Sequence, residues 1–62
     1  MYLRYLHANQ AWVFLFGEDV NTAQIIDMGD FGRFFPTRAE AVQAAKSCGL
    51  DVDKHGVVST LF

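Results

Sequence analysis

One stretch constrains this chain more than any other. Thr37 to Gly49 is the only segment whose length, caps and periodicity together specify a helix. Thr37 followed by Glu40 is a capping box: the threonine oxygen can accept from the amide of residue 40, and the carboxylate can reach back to the amide of Thr37. Pro36, just before the cap, biases Phe35 to an extended conformation. Ala39, Ala41, Ala44 and Ala45 are strong helix formers, and Gly49 after Cys48 supplies the left-handed residue that ends the helix, with Leu50 placed to fold back over the last turn. At about 100° per residue, Ala41, Val42, Ala45 and Cys48 share one face, and Glu40, Gln43 and Ser47 share the opposite one. A face of small residues suits a helix lying close against a sheet whose own side chains are large.

The remainder reads as strands and turns. Met1 to His7 is rich in strand formers (Tyr2, Leu3, Tyr5, Leu6), and Ala8, Asn9 and Gln10 predict a tight connection in which Asn9 tolerates a positive backbone angle. Ala11 to Phe16 is the most apolar run, with Trp12, Phe14 and Phe16 on one face and Ala11, Val13 and Leu15 on the other. Apolar residues on both faces mark a central strand buried from two sides. Gly17 to Thr22 is a polar loop, Ala23 to Met28 a third strand with Ile25 and Ile26 on opposite faces, and Gly29, Asp30 and Gly32 a bend. Arg33 to Phe35 is a short extended piece leading into the helix. After the helix come a brief strand over Leu50 to Asp53, a turn at Lys54-His55-Gly56 and a β-branched strand over Val57 to Phe62. The fold class is α+β: a three- to four-stranded antiparallel sheet with one helix on one face, in the order β-β-β-α-β, as a single domain over residues 1–62.

Supply and demand of cover then carry the functional expectation. A chain of 62 residues has a thin core and buries only about 60% of the surface its unfolded form exposes. Domains this small gain margin from a disulfide, a metal or a partner. Cys48 is the only cysteine, which excludes an internal disulfide and fits a reducing compartment, and two histidines with one cysteine are too few soft ligands for a zinc site. A helix of roughly 16 Å cannot shelter both faces of the sheet. Either Phe31 and Phe34 fold over the second face or another chain covers it, since an open aromatic sheet face exceeds the patch size that soluble monomers tolerate. A homodimer or other self-association, or a protein partner, is therefore expected, with Tyr2, Tyr5, Trp12, Phe14, Phe16 and Phe62 as interface candidates.

Other sites give less. The net charge is −2, and Arg4, Arg33, Arg38, Lys46 and Lys54 are scattered, a poor footprint for nucleic acid. The alternative of a single-strand-binding sheet, with Tyr2, Tyr5, Trp12 and Phe14 interleaved with Arg4, lacks the flanking basic charge such platforms use. No run approaches the roughly 18 apolar residues of a membrane span, and Met1 to Leu6 lacks the layout of a signal peptide, so a cytoplasmic protein is expected. His7 and His55 sit beside turns, where solvated histidines are common. Asp51, Asp53 and His55 alternate as in a loose cation site, yet lack the glycine and distal glutamate of a calcium loop, and solvated turn acids account for them better. Cys48 lies at the helix C-terminus, where the dipole disfavours a thiolate, and on the face expected to be buried, so a packed inert thiol is predicted. Asp30-Phe31-Gly32 spells a kinase tripeptide by chance, without any other kinase element, and Asn21-Thr22-Ala23 is not a glycosylation site. No cofactor and no enzymatic activity are expected.

The run Phe35-Pro36-Thr37-Arg38-Ala39-Glu40-Ala41, then Ala44-Ala45 and Gly49-Leu50-Asp51-Val52, resembles a pattern found in many small uncharacterised proteins, often encoded by phages or mobile elements. The resemblance implies no catalytic residues. It implies a compact protein that binds and modulates a host protein.

Overall fold

The structure is a computed structural model that describes residues 1–19 and 22–61. Strands β1 (Tyr2–Leu6) and β2 (Ala11–Phe16) form an antiparallel hairpin in which Leu3 faces Phe14, Tyr5 faces Trp12 and Arg4 faces Val13. Two overlapping turn bonds close its loop: the amide of Asn9 donates to Leu6 O and that of Gln10 to His7 O. Those bonds keep Ala8 and Asn9 in the turn itself, so the left-handed residue falls one place later than predicted, at Gln10 (φ 51°).

Strand β3 is only Gln24–Ile25, paired with Leu15 and Phe16 at one end of β2. It is shorter than the predicted Ala23–Met28 because the other end of the same edge is taken. Phe35 bridges Trp12 there, the Trp12 amide donating to Phe35 O at 2.7 Å and the Phe35 amide to Trp12 O at 3.0 Å. The Ile26 amide still reaches Phe14 O at 2.8 Å, and the chain then turns away.

Helix α1 (Arg38–Ser47) starts at the predicted cap: Thr37 is extended, and its oxygen accepts from the Glu40 amide at 3.2 Å. The Glu40 carboxylate accepts from the Thr37 hydroxyl at 3.3 Å, where the sequence predicted the Thr37 amide. After Gly49 (φ 78°), β4 (Leu50–Val52) and β5 (Val58–Thr60) form a second, two-stranded antiparallel sheet, so the segment after the helix is a hairpin. This hairpin is tied to the start of the chain. Tyr2 bridges Val57, the Leu3 amide donates to Gly56 O at 2.7 Å, and the Val58 amide donates to Met1 O at 3.0 Å. The class is α+β, with helix α1 over one face of the three-stranded sheet.

The core lies between β1–β2 and α1. Leu3, Phe14, Met28 and Phe35 meet Ala41, Ala44 and Ala45, and Phe14 and Phe35 pack edge to face with centroids 5.8 Å apart. Val42 is half-buried beside them.

The second face of the sheet departs from the expected shortage of cover. Ala11, Val13 and Leu15 are buried within the single chain, Val13 completely. Their register partners Leu6, Arg4 and Tyr2 share that face, and the Arg4 guanidinium lies 4.9 Å over the Tyr2 ring. A long side chain on a neighbouring strand can shelter apolar surface that neither helix nor second chain covers. Phe31 and Phe34 do not close this face. They line a groove beside the helix instead.

Candidate functional site

The groove follows from one backbone pairing. Phe35 is locked against Trp12 by two hydrogen bonds and points into the core, so alternation along an extended segment turns its neighbour Phe34 outward, 46% exposed. Upstream, a single 3₁₀ turn over Gly29–Phe31 is closed by the Gly32 amide donating to Gly29 O and the Met28 amide to Gly32 O. Its entrance is held by the Asp27 carboxylate, which accepts from the Gly29 amide at 2.9 Å. This turn leaves Phe31 49% exposed. The two phenylalanines, with Pro36 and the helix residues Glu40, Gln43 and Ala44, enclose an open groove of about 310 Å³, with buried Phe35 and Ala44 at its base. Its walls are aromatic and aliphatic except for the carboxylate of Glu40 and the amide of Gln43.

The interface candidates from the sequence separate into different places. Phe14 is 0% exposed at the centre of the core and offers no surface to a partner, because helix α1 and Phe35 cover the face it shares with Trp12. Trp12 is half-buried against the same core, and Tyr5 stacks edge to face on both Trp12 and His7. Tyr2 lies on the opposite face, with its hydroxyl buried and without a hydrogen-bond partner among the described residues. Phe16 is 65% exposed at the end of β2, and Phe62 lies outside the described residues. The residues that do converge, Phe31 and Phe34, have a signal in the sequence: large aromatics set among Gly29, Asp30, Gly32 and Arg33, where no strand or helix period can bury them.

Cys48 is exposed, not packed. Its angular direction around the helix matches Ala41, but it is the C-cap, already past the last helical residue, with its amide donating to Ala44 O and Ala45 O. Arg4 and Tyr5 point to opposite faces, and Arg4 Nη1 donates to Leu3 O and His55 O, so the two do not share a platform. The basic residues that look scattered along the sequence are partly gathered in space. Arg38 Nη2 donates to Asp53 O at 2.7 Å, and Arg4 reaches His55 O at 3.2 Å in the same turn.

That turn uses Asp53 as its own internal anion. Asp53 Oδ1 accepts from the amides of His55 (2.8 Å) and Val57 (2.9 Å). The Val57 amide holds the carboxyl below its ordinary value of 3.8, helped by the amides of His55 and Gly56 and the charge of His55, while desolvation opposes them. No group of three or more His, Cys, Asp and Glu side chains placed to hold a metal ion occurs among the described residues. A carboxyl ionised more readily in the folded chain than in the unfolded one stabilises the fold above its unfolded value, and that contribution is lost as pH falls through the folded value. Amide exchange at His55 and Val57 is therefore expected to speed up selectively as pH falls through 3.8 and below, after correction for intrinsic rates. In Asp53→Asn, that selective acid response should be absent.

No family model, curated protein or solved structure matches this chain. Among the described residues, no helix is long and apolar enough to cross a membrane.

Proposed function

We propose that this chain is a non-enzymatic protein-interaction module, docking through the Phe31–Phe34 groove on a protein partner that it modulates. The observation that carries this reading is the pair of half-exposed phenylalanines held around one groove by the pairing of Phe35 with Trp12. Aromatic side chains dominate interface energetics, and clustered exposed apolar surface marks interaction sites on small proteins. A volume of about 310 Å³ is at the small end for a ligand pocket and suits one anchoring side chain. The resemblance of residues 35–52 to small phage and mobile-element proteins supports the same reading, with a cytoplasmic host protein as the partner. Exposed Phe16 and Leu61 leave further apolar surface for self-association as a homodimer.

The test is absolute mass in solution followed by a pull-down with wild type and with the double variant Phe31→Asp, Phe34→Asp. Both side chains are about half exposed, so the variant is expected to keep its cooperative unfolding transition while losing the partner that wild type retains. A folded double variant that retains the same partner at the same level overturns the reading.

A further inference from the structure

We infer that the groove takes an apolar anchor from a basic segment of the partner, an aliphatic or aromatic residue flanked by lysine or arginine. This deepens the docking reading above and rests on it. Among the described residues, the only charged group in the lining is the Glu40 carboxylate, exposed in the first turn of α1. It accepts from the Thr37 hydroxyl at 3.3 Å, and a carboxylate keeps further acceptor positions after one such bond. Asp30, also exposed, directly precedes Phe31 in the chain and stands outside the lining itself.

The cations near these walls are engaged elsewhere. Arg33, next to Phe34, pairs with Asp27 at 3.8 Å, so the two charges offset each other. Arg38, two residues before Glu40, donates its Nη2 to Asp53 O on the β4–β5 turn. Lys46 lies in the last turn of the helix and is not part of the lining. An apolar floor with a carboxylate on one wall is complementary to an apolar side chain with cationic neighbours. An acidic segment would bring like charge against Glu40.

Two panels of fluorescently labelled hexapeptides test this. Each carries Leu, Ile, Met, Phe or Trp at the centre, framed in one panel by lysines and in the other by glutamates, and binding is read by anisotropy at low and at physiological salt. Members of the lysine panel are expected to bind at least about tenfold more tightly than their glutamate counterparts at low salt, with the ratio shrinking as salt screens the rim. Glu40→Gln should narrow the ratio several-fold without loss of folding, because glutamine also serves in a capping box. Phe31→Ala with Phe34→Ala should remove binding of both panels. Equal binding of the two panels overturns the charge inference and leaves the docking reading standing. Binding of neither panel removes both. Light scattering on the same samples covers the remaining occupant: a mass that halves in the Phe31→Ala, Phe34→Ala variant assigns the groove to a second copy and overturns the inference.

Discussion

Phe14→Ala is expected to abolish cooperative unfolding under conditions where the wild type shows a clear transition. Phe14 is fully buried at the contact of β2, Phe35 and the alanine face of α1, so truncation removes both the apolar transfer term and the packing of every group around it. Such a change costs about 3–5 kcal/mol in a well-packed core. The whole domain, at roughly 0.05–0.15 kcal/mol per residue, has about 3–9 kcal/mol to lose. The alanines opposite have no long side chains with which to refill the space, so little relaxation is available. Urea unfolding followed by circular dichroism reads the outcome. Phe16→Ala is the internal control: the same chemical change at a position 65% exposed should cost no more than about 0.5 kcal/mol. If Phe14→Ala unfolds with nearly the wild-type midpoint, the core does not lie where it is described.

This contrast also marks the boundary of what the sequence could say. Alternation placed Phe14 and Phe16 on one face, and the structure agrees. Yet alternation gives direction and not depth. Phe14 lies under the helix, whereas Phe16 lies at the end of the strand, with Gln24 as its neighbour. Cys48 fails in the same way, sharing a direction with Ala41 but sitting past the end of the helix. The helix itself was legible because its determinants are local: Thr37, Pro36 and Gly49 act on backbone groups within one turn.

What was not legible depends on contacts between distant segments. The short β3 reflects competition along one edge of β2: continued register would set Met28 opposite Trp12, and Phe35 takes that place. The groove is a consequence of that competition, since Phe35 wins the place beside Trp12 and turns Phe34 out. On the second face of the sheet, Arg4 lies across the Tyr2 ring and reaches a turn some fifty residues later. Ala11, Val13 and Leu15 are buried within the single chain, which a count of apolar residues against one helix does not anticipate. The exposed apolar surface that bears on an interaction role is the groove with Phe31 and Phe34, not an open sheet face.

Gly56→Ala is expected to be the most damaging single-methyl addition in the turns. Gly56 has φ +84°, a left-handed conformation that costs a residue with a Cβ roughly 1–2 kcal/mol. The added carbon would also lie 2.6 Å from Leu3 O and 3.1 Å from Arg4 Nη1. The arginine can swing aside, but Leu3 O belongs to the backbone of β1 and cannot. Relief requires the β4–β5 hairpin to move off β1, and that movement takes with it the Leu3–Gly56 hydrogen bond, the Arg4–His55 contact and the Val58–Met1 bond. At about 1 kcal/mol for each of these three hydrogen bonds, together with the conformational term, the loss comes to around 4–5 kcal/mol, a large part of the stability of a chain this size. Gly29 and Gly32 isolate the steric part. Their φ values are +69° and +80°, but none of the described residues comes within 4 Å of where a Cβ would stand, so alanine there should cost only the conformational term. Hydrogen exchange at the Leu3 and Val58 amides should rise steeply in Gly56→Ala and little in Gly29→Ala or Gly32→Ala. Three alanine variants of equal stability would mean that the hairpin is not docked on the first strand.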